Sequence, residues 1–285
     1  MRRVIQTFKA PHQWINGPPG LGDFVRGACH LFEKLHVSGL ELRIDVSQTE
    51  FTNHIQQNQE IFQAGDQDQI KNAEEYFVNH VALHNRLVAF LNSDEPELYI
   101  CTNLGPWNRL TLPETTRSFA KNLYMFSEEI ERMVGAELQV TEYEVLSVRC
   151  GDSFYTGSAV QDISNAKSQI CSIIEQQILP RAQLPLVLTS DCYELKVELS
   201  KRYGMLTLPH RSQHGAFGNV VPVAMDLCML KHSQFNYHIN HWATWWSGFS
   251  HYTSIIFNIP SMNFRAPNFA KEEINAQGEL FTAPS

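Results

Sequence analysis

The stretch LPLVLTSDCYELKVELSKRYGMLTL, Leu184 to Leu208, decides the architecture. Leu184–Thr189 is an apolar run of strand length, Tyr193–Tyr203 reads as a helix, and Met205–Leu208 reads as a second strand. Working outward, the same alternation continues. A strand over Glu144–Val148 and a helix over Ile163–Ile178 precede it. An apolar helix over Pro222–Leu230, a short strand near Phe235–Ile239, a helix through Ser250–Phe257 and a last strand near Met262 follow. Strands and helices that alternate with short links predict a parallel sheet covered by helices, an α/β fold.

The first half carries a similar unit. Val4–Phe8 predicts a strand, Pro11–Gly22 a loop rich in Pro and Gly, and Phe24, Ala28, Leu31, Phe32 and Leu35 recur at helical spacing up to Gly39. Leu40, Leu42, Ile44 and Val46 then alternate with Glu41, Arg43 and Asp45, the period of a strand. Ser47–Asp94 is rich in Gln, Asn and His and weakly helical. Glu97–Thr102 predicts another strand, followed by a turn at Gly105-Pro106-Trp107. One amphipathic helix is expected next, with Phe119, Leu123, Phe126, Ile130 and Met133 on one face and Gly135 as its stop. The domain boundary is placed near Gly135–Thr141, which divides the chain into 1–138 and 139–285.

Composition narrows the class. At 285 residues, with 43% hydrophobic and 18% charged residues, the chain affords a sizeable core and fits two lobes or one large domain. A net charge of −8 works against sequence-independent nucleic-acid binding, which rests on many Lys and Arg neutralising phosphates. The longest apolar stretch, Val220–Leu230, is broken by Pro222 and Asp226 and falls short of the ~20 residues of a membrane span. Basic residues at the start have no long apolar run behind them, so no signal peptide is read there. Six cysteines without a C-x-x-C pair suit reduced thiols, and the expected location is cytoplasmic.

In open parallel sheets ligands sit beyond the carboxyl ends of the strands, so the residues just after each strand carry the search. Arg149, after Val145–Val148, would emerge at a strand tip, where its planar fork can take a diphosphate bidentately. Its other reading is a structural pairing with Asp152 or another acid that shapes the loop. Ser190-Asp191 is first a helix cap, and the helix start behind it also offers backbone donors to a phosphate or base. The Gly17–Gly22 loop lets backbone approach a ligand closely, and Asp23 reads either as a first-turn acid or as a carboxylate able to deprotonate an acceptor hydroxyl. Around Asn240–Ser250, Ser247 and Ser250 can cap a helix while bonding a phosphate; Trp242, Trp245 and Trp246 are core residues first and sugar-stacking residues second. His210 and His214 have i, i+4 spacing, but Gly215 and Gly218 argue against a helix, so no metal is expected there. Asp66-Gln67-Asp68 lacks a preceding apolar strand and reads as a solvated loop.

In chain order these pieces resemble the fucosyltransferase-type group of GT-B glycosyltransferases, the α-1,6-fucosyltransferases and protein O-fucosyltransferases. Gly20-Leu21-Gly22-Asp23-Phe24-Val25-Arg26 resembles that group's G-x-G-N-x-x-R loop, with Asp23 in place of Asn. Val148-Arg149-Cys150-Gly151-Asp152 resembles its H-x-R-R-G-D motif, with the His and one Arg missing. Leu188-Thr189-Ser190-Asp191 resembles the strand that approaches the nucleotide, Asp226-Leu227-x-x-Leu230 the acidic helix behind the donor, and Ser247-Gly248-Phe249-Ser250 the S-x-F-S phosphate motif.

The resemblance implies two Rossmann-like lobes with a cleft between them: an acceptor-side domain over 1–138 and a nucleotide-sugar-binding domain over 139–285. It implies an inverting glycosyltransferase without metal or other cofactor. Asp23 and Arg149 are its catalytic residues, and Gly20, Gly22, Arg26, Gly151, Asp152, Ser190, Asp191, Asp226, Ser247, Phe249 and Ser250 bind the donor. The expected partners are a nucleotide sugar, GDP-fucose by resemblance or a UDP-sugar such as UDP-xylose, and a glycan acceptor. Glu50, Asp45 and His54 stand next in line as base. The incomplete arginine motif keeps a second reading open, a non-catalytic glycan or nucleotide-sugar binding protein on the same scaffold. A third, a metal-dependent hydrolase on His210 and His214, predicts bound zinc.

Overall fold

A computed structural model describes residues 2–10, 13, 15, 20–56, 58–105, 111–150, 163–211, 219–241, 249–266, 271–274 and 280–282. The chain divides into two compact units, the first built mainly from Met1–Pro106 and Pro113–Ser127, the second from Glu128–His214 and Val221–Ser285.

In the first unit, β1 (Arg3–Thr7), β2 (Glu41–Asp45), β3 (Glu74–Tyr76) and β4 (Glu97–Thr102) form a sheet in the order β2-β1-β4-β3. Every pairing is parallel. Helix α1 (Leu21–His36) buries Phe24, Ala28, Leu31 and Leu35, as the helical spacing predicts. Phe32, also in that pattern, stacks on Phe119 at a centroid distance of 4.4 Å. Gln6 ties the layers together by donating from Nε2 to the carbonyls of Phe24 and Thr102. Opposite α1, Ile5, Tyr99 and Cys101 pack on Ile70 and Ala73 at the end of α2 (Gln67–Lys71). Asp66 caps that helix, its Oδ1 accepting from the amides of Asp68 and Gln69 at 3.1 and 3.0 Å, so the Asp-x-Asp stretch is a helix start. Helix α3 (His80–Leu91) follows β3.

The single amphipathic helix expected over 119–133 is instead two, α4 (Glu114–Lys121) and α5 (Glu128–Leu138). Phe126 leaves helical geometry to bridge Ile55: the Gln56 amide donates to Met125 O at 2.6 Å and the Ser127 amide to His54 O at 2.8 Å. Gly135 does not stop α5. The helix continues to Leu138 and ends at Gln139, whose φ of 53° is left-handed. Helix α5 groups with the second unit, so the division falls between Ser127 and Glu128, ahead of the 138/139 boundary read from the sequence.

The second unit holds β5 (Glu144–Arg149), β6 (Leu186–Ser190), β7 (Phe235–His241), β8 (Ser261–Ala266), β9 (Lys271–Ile274) and β10 (Leu280–Thr282) in the order β10-β9-β8-β7-β5-β6. β5 to β8 are parallel, and β9 and β10 add antiparallel strands. Met205–Leu208 was expected to be a strand and contributes one parallel bridge, Val187 with Leu206. The helices are α6 (Ile163–Ile173), extended by a wide turn through Ile178, α7 (Tyr193–Tyr203), α8 (Val221–His232) and α9 (Ser250–Phe257).

The two faces of this sheet differ. Leu146, Val148, Leu188, Tyr237 and Ile239 form an apolar core with Ile170, Ile174 and Leu199. On the alternate positions Ser147, Thr189, His238 and Asn263 share one register row, and all are buried. Asn236 and His238 on that face meet Ser254 Oγ of α9 at 2.8 and 3.3 Å. Buried polar groups are kept by such partners, and here they bind α9 to the sheet.

Candidate functional site

In the second unit β5 has β6 on one side and β7 on the other, so the strand order reverses beside β5, the place where open α/β sheets bind ligands. Arg149 ends β5 there, in register with Asn240 of β7. Its side chain is 26% exposed, and Nη1 lies 3.9 Å from Oδ2 of Asp191, whose carboxylate is 4% exposed. The carboxylate is within ion-pair range of the partly exposed guanidinium, so it holds Arg149 at the strand tip. Asp191 is held by another contact: its Oδ1 accepts from the Cys150 amide at 2.7 Å. Among the described residues the acid paired with Arg149 is Asp191, and the pair stands at the switch point.

Ser190 and Asp191 do not cap α7 as expected. Cys192 occupies the cap position without a side-chain bond, and Ser190 Oγ accepts from the Cys192 amide at 3.1 Å. The Cys150 and Cys192 thiols share a hydrogen bond. It holds Cys192 below the usual thiol range, helped by the Leu195 amide at the start of α7. The same bond, with burial, pushes Cys150 well above the usual thiol range. Neither cysteine was singled out for this, although each follows a strand tip.

Phe249 is the cap residue of α9 and Ser250 its first helical residue, buried at the amino end of that helix. Asp226, on α8, is buried with its Oδ1 3.2 Å from Nε2 of His210. Lys196 donates to the carbonyls of Leu208 and His210, so Asp226 and Lys196 together fasten the segment after Leu208. Burial lowers the Lys196 pKa and Asp226 opposes that shift. His210 is thus engaged by a carboxylate. Gly151, Asp152, His214, Trp242, Trp245, Trp246 and Ser247 lie outside the described residues.

In the first unit Gly20 is the cap residue of α1, Gly22 is buried, and Asp23 is a first-turn acid, 29% exposed. Asp23 Oδ1 lies 3.2 Å from Nη1 of Arg26. Arg26 was expected to assist at the donor, but it is 1% exposed and donates from Nε and Nη2 to Asn103 O at 2.9 and 2.6 Å. A guanidinium so enclosed works as a clamp between α1 and the loop after β4. Of the reserve bases, Asp45 is buried and accepts from Thr7 Oγ1 at 2.6 Å and from the Ser47 amide at 2.9 Å, a structural role. Near it, Lys9 and Glu75 form a buried ion pair at 3.0 Å that the sequence reading missed.

Asn236, His238 and Asn240 were also missed. They alternate with Phe235, Tyr237 and Ile239, yet all three polar residues are buried. Burial holds the His238 pKa down to about 3, with His251 adding to the effect. The unfolded chain takes up this proton as pH falls below about 6.5, while the native chain resists until about 3. Stability is therefore full above pH ~6.5 and declines below it, by at most about 1.4 kcal/mol per pH unit from this residue. In urea denaturation, His238→Asn should flatten the fall in stability between about pH 6 and pH 4.

No family model matches the sequence, and no curated protein matches it. Solved structures do. The fucosyltransferase NodZ from Bradyrhizobium superimposes with a TM-score of 0.58 at 13% identity over 99% of each chain. A NodZ α-1,6-fucosyltransferase co-crystallized with GDP gives 0.57 at 12% identity, over 100% of this chain and 98% of that one. One soaked with GDP-fucose gives 0.57 at 13%, over 100% and 99%. The fold is that of GT-B fucosyltransferases, with two Rossmann-like units, as the motif resemblance implied.

Proposed function

We propose that the chain is a glycosyltransferase that moves a sugar from a nucleoside-diphosphate donor to a hydroxyl of a glycan, with inversion and without a metal. The observation that carries this is Arg149, half-open at the switch point of a GT-B sheet beside a buried carboxylate. Arg149 takes the leaving diphosphate, with the amino end of α9 at Phe249 and Ser250 supplying backbone donors, the work a divalent cation does elsewhere. Asp191 orients Arg149 and fixes the Cys150 amide. Asp23 takes the proton of the acceptor hydroxyl, with Arg26 setting its rotamer.

GDP-fucose is the first donor to test, because the NodZ structures named above were obtained with GDP and with GDP-fucose; UDP-xylose is the second. The test is a thermal-shift panel of nucleoside diphosphates and their sugars, in chelator, followed by turnover with the donor that stabilises. Asp23→Asn should then lower turnover by at least about 100-fold and leave donor affinity within about twofold. Unchanged turnover would move the base elsewhere.

One observation favours a second reading. Cys150 stands where the resembled motif has its second arginine, and it is buried in the apolar core. Donor binding with neither transfer nor donor hydrolysis across acceptors would make the chain a nucleotide-sugar binding protein.

A further inference from the structure

The last turns of α8 carry Cys228 and His232 at i, i+4 on one face, and α5 packs Glu131 against them. Cys228 Sγ lies 3.2 Å from Glu131 Oε2, and His232 Nε2 lies 2.8 Å from the same oxygen. The three ligand atoms all fall within 4.8 Å of one another. We propose that Glu131, Cys228 and His232 form a zinc site that clasps α5 to α8, with a fourth position open to water.

The chemistry fits on four counts. Thiolate, imidazole and carboxylate are zinc's own ligand types, and a borderline-soft ion suits this mixed set better than magnesium or calcium does. Bonds of about 2.0–2.3 Å in a tetrahedron set ligand atoms roughly 3.3–3.8 Å apart, so the two edges at Glu131 Oε2, 3.2 and 2.8 Å, have to widen, and all three atoms already lie within 4.8 Å of one another. The floor is dry and the mouth wet: Cys228 is fully buried, while His232 is 53% and Glu131 36% exposed. The site also sits in the last turn of α8, where the helix dipole favours a cation.

An ion-pair cluster alone accounts for less. Lys231 and His232 explain a carboxylate at this position, but a buried thiol directed at the same carboxylate oxygen is a ligand set. Lys231 takes the other oxygen, Oε1, so ammonium and metal can share Glu131, at some loss of metal affinity. On binding, the Cys228 S–H bond breaks, its proton goes to solvent and the S–Zn bond forms. Thiolate and carboxylate then balance the two charges of the ion. The site lies near Tyr143, whose hydroxyl donates to Met229 O at 2.8 Å just before β5 begins, whereas Arg149 is at the other end of that strand. It is therefore separate from the transfer chemistry, and its test does not depend on the proposed activity.

The experiment titrates the full chain, stripped by chelator, with Co²⁺ as a spectroscopic probe and then displaces it with Zn²⁺. Expected are a thiolate-to-cobalt charge-transfer band saturating near about one ion per chain and its loss on zinc addition. Cys228→Ser should abolish the band. The partly exposed change His232→Ala should weaken binding by at least about 100-fold, more than loss of a supporting residue costs. Lys231→Gln should tighten it by about fivefold, the effect of removing one nearby charge. A wild-type chain that shows no band, or a band kept in full by Cys228→Ser and His232→Ala, overturns the assignment.

Discussion

Arg149→Ala should lower affinity for a stabilising nucleoside diphosphate by about 100-fold or more and turnover by about 100- to 1000-fold, the cost of removing one preorganised charged donor from a leaving group. The reason is local. Arg149 is the last residue of β5, beside the reversal of strand order, and its acidic neighbour Asp191 is already bonded to the Cys150 amide. Removing Arg149 thus takes away the positive charge and leaves a buried carboxylate facing the phosphates. Arg149→Lys separates charge from shape: it keeps the cation and loses the fork, so an intermediate loss is expected. Isothermal titration with diphosphate and monophosphate forms of one nucleoside measures both. If Arg149→Ala both binds the diphosphate and turns over as wild type does, Arg149 is a structural residue and the proposed donor site fails. If binding is unchanged and only turnover falls, it acts on the transition state alone.

Gly27→Ala should destabilise the protein by about 3 kcal/mol, at the upper end of overpacking costs. A methyl group at this position would stand 2.2 Å from the Thr102 carbonyl oxygen and 2.8 Å from its carbon. Both belong to backbone at the end of β4, and the Gln6 side chain holds that same carbonyl, so neither neighbour can rotate away. Relief requires α1 to lift from the sheet, and α1 carries Asp23 and Arg26. Gly135→Ala serves as the control of opposite sign. Gly135 lies inside α5 with nothing near its added methyl, so the change should stabilise by about 0.5–1 kcal/mol. Urea denaturation of the two variants beside wild type decides the matter, and equal midpoints would mean that α1 packs less tightly than its distances imply.

What could be read beforehand follows from where the information resides. Tyr203 and Gly204 end α7 as read because local pattern decides them: apolar spacing runs up to a glycine with φ of 65°. The break between α4 and α5 could not be read. The helical pattern of Phe119, Leu123, Phe126 and Ile130 runs through it, and the interruption comes from His54, Ile55 and Gln56, far away in sequence. Glu74–Tyr76 escaped because an edge strand of three half-buried polar residues has no apolar signature. At the site, residue type marked Arg149 and Asp191. The enclosure of Arg26 depends on the Asn103 carbonyl, which no side-chain motif records. His238 and Asn263 carried a usable sign, polar residues at every second position of β7 and β8, which Ser147 in β5 lacks.

The order β2-β1-β4-β3 also has a bearing on how the chain is made. As synthesis proceeds, β1 meets β2 early, while its other edge waits for β4, whose first partner of Arg3 is Glu97. Through that interval a nascent chain presents an unpaired, buried-type strand edge, the template on which other chains add. Three carbonyls at the end of α3, those of Phe90, Leu91 and Ser93, then receive the Arg2 guanidinium and anchor the start of β1 as β4 arrives. Slower translation between β2 and β4 would prolong the exposure, so recombinant yield should be more sensitive to codon usage over residues 46–96 than to that of the segment following β4.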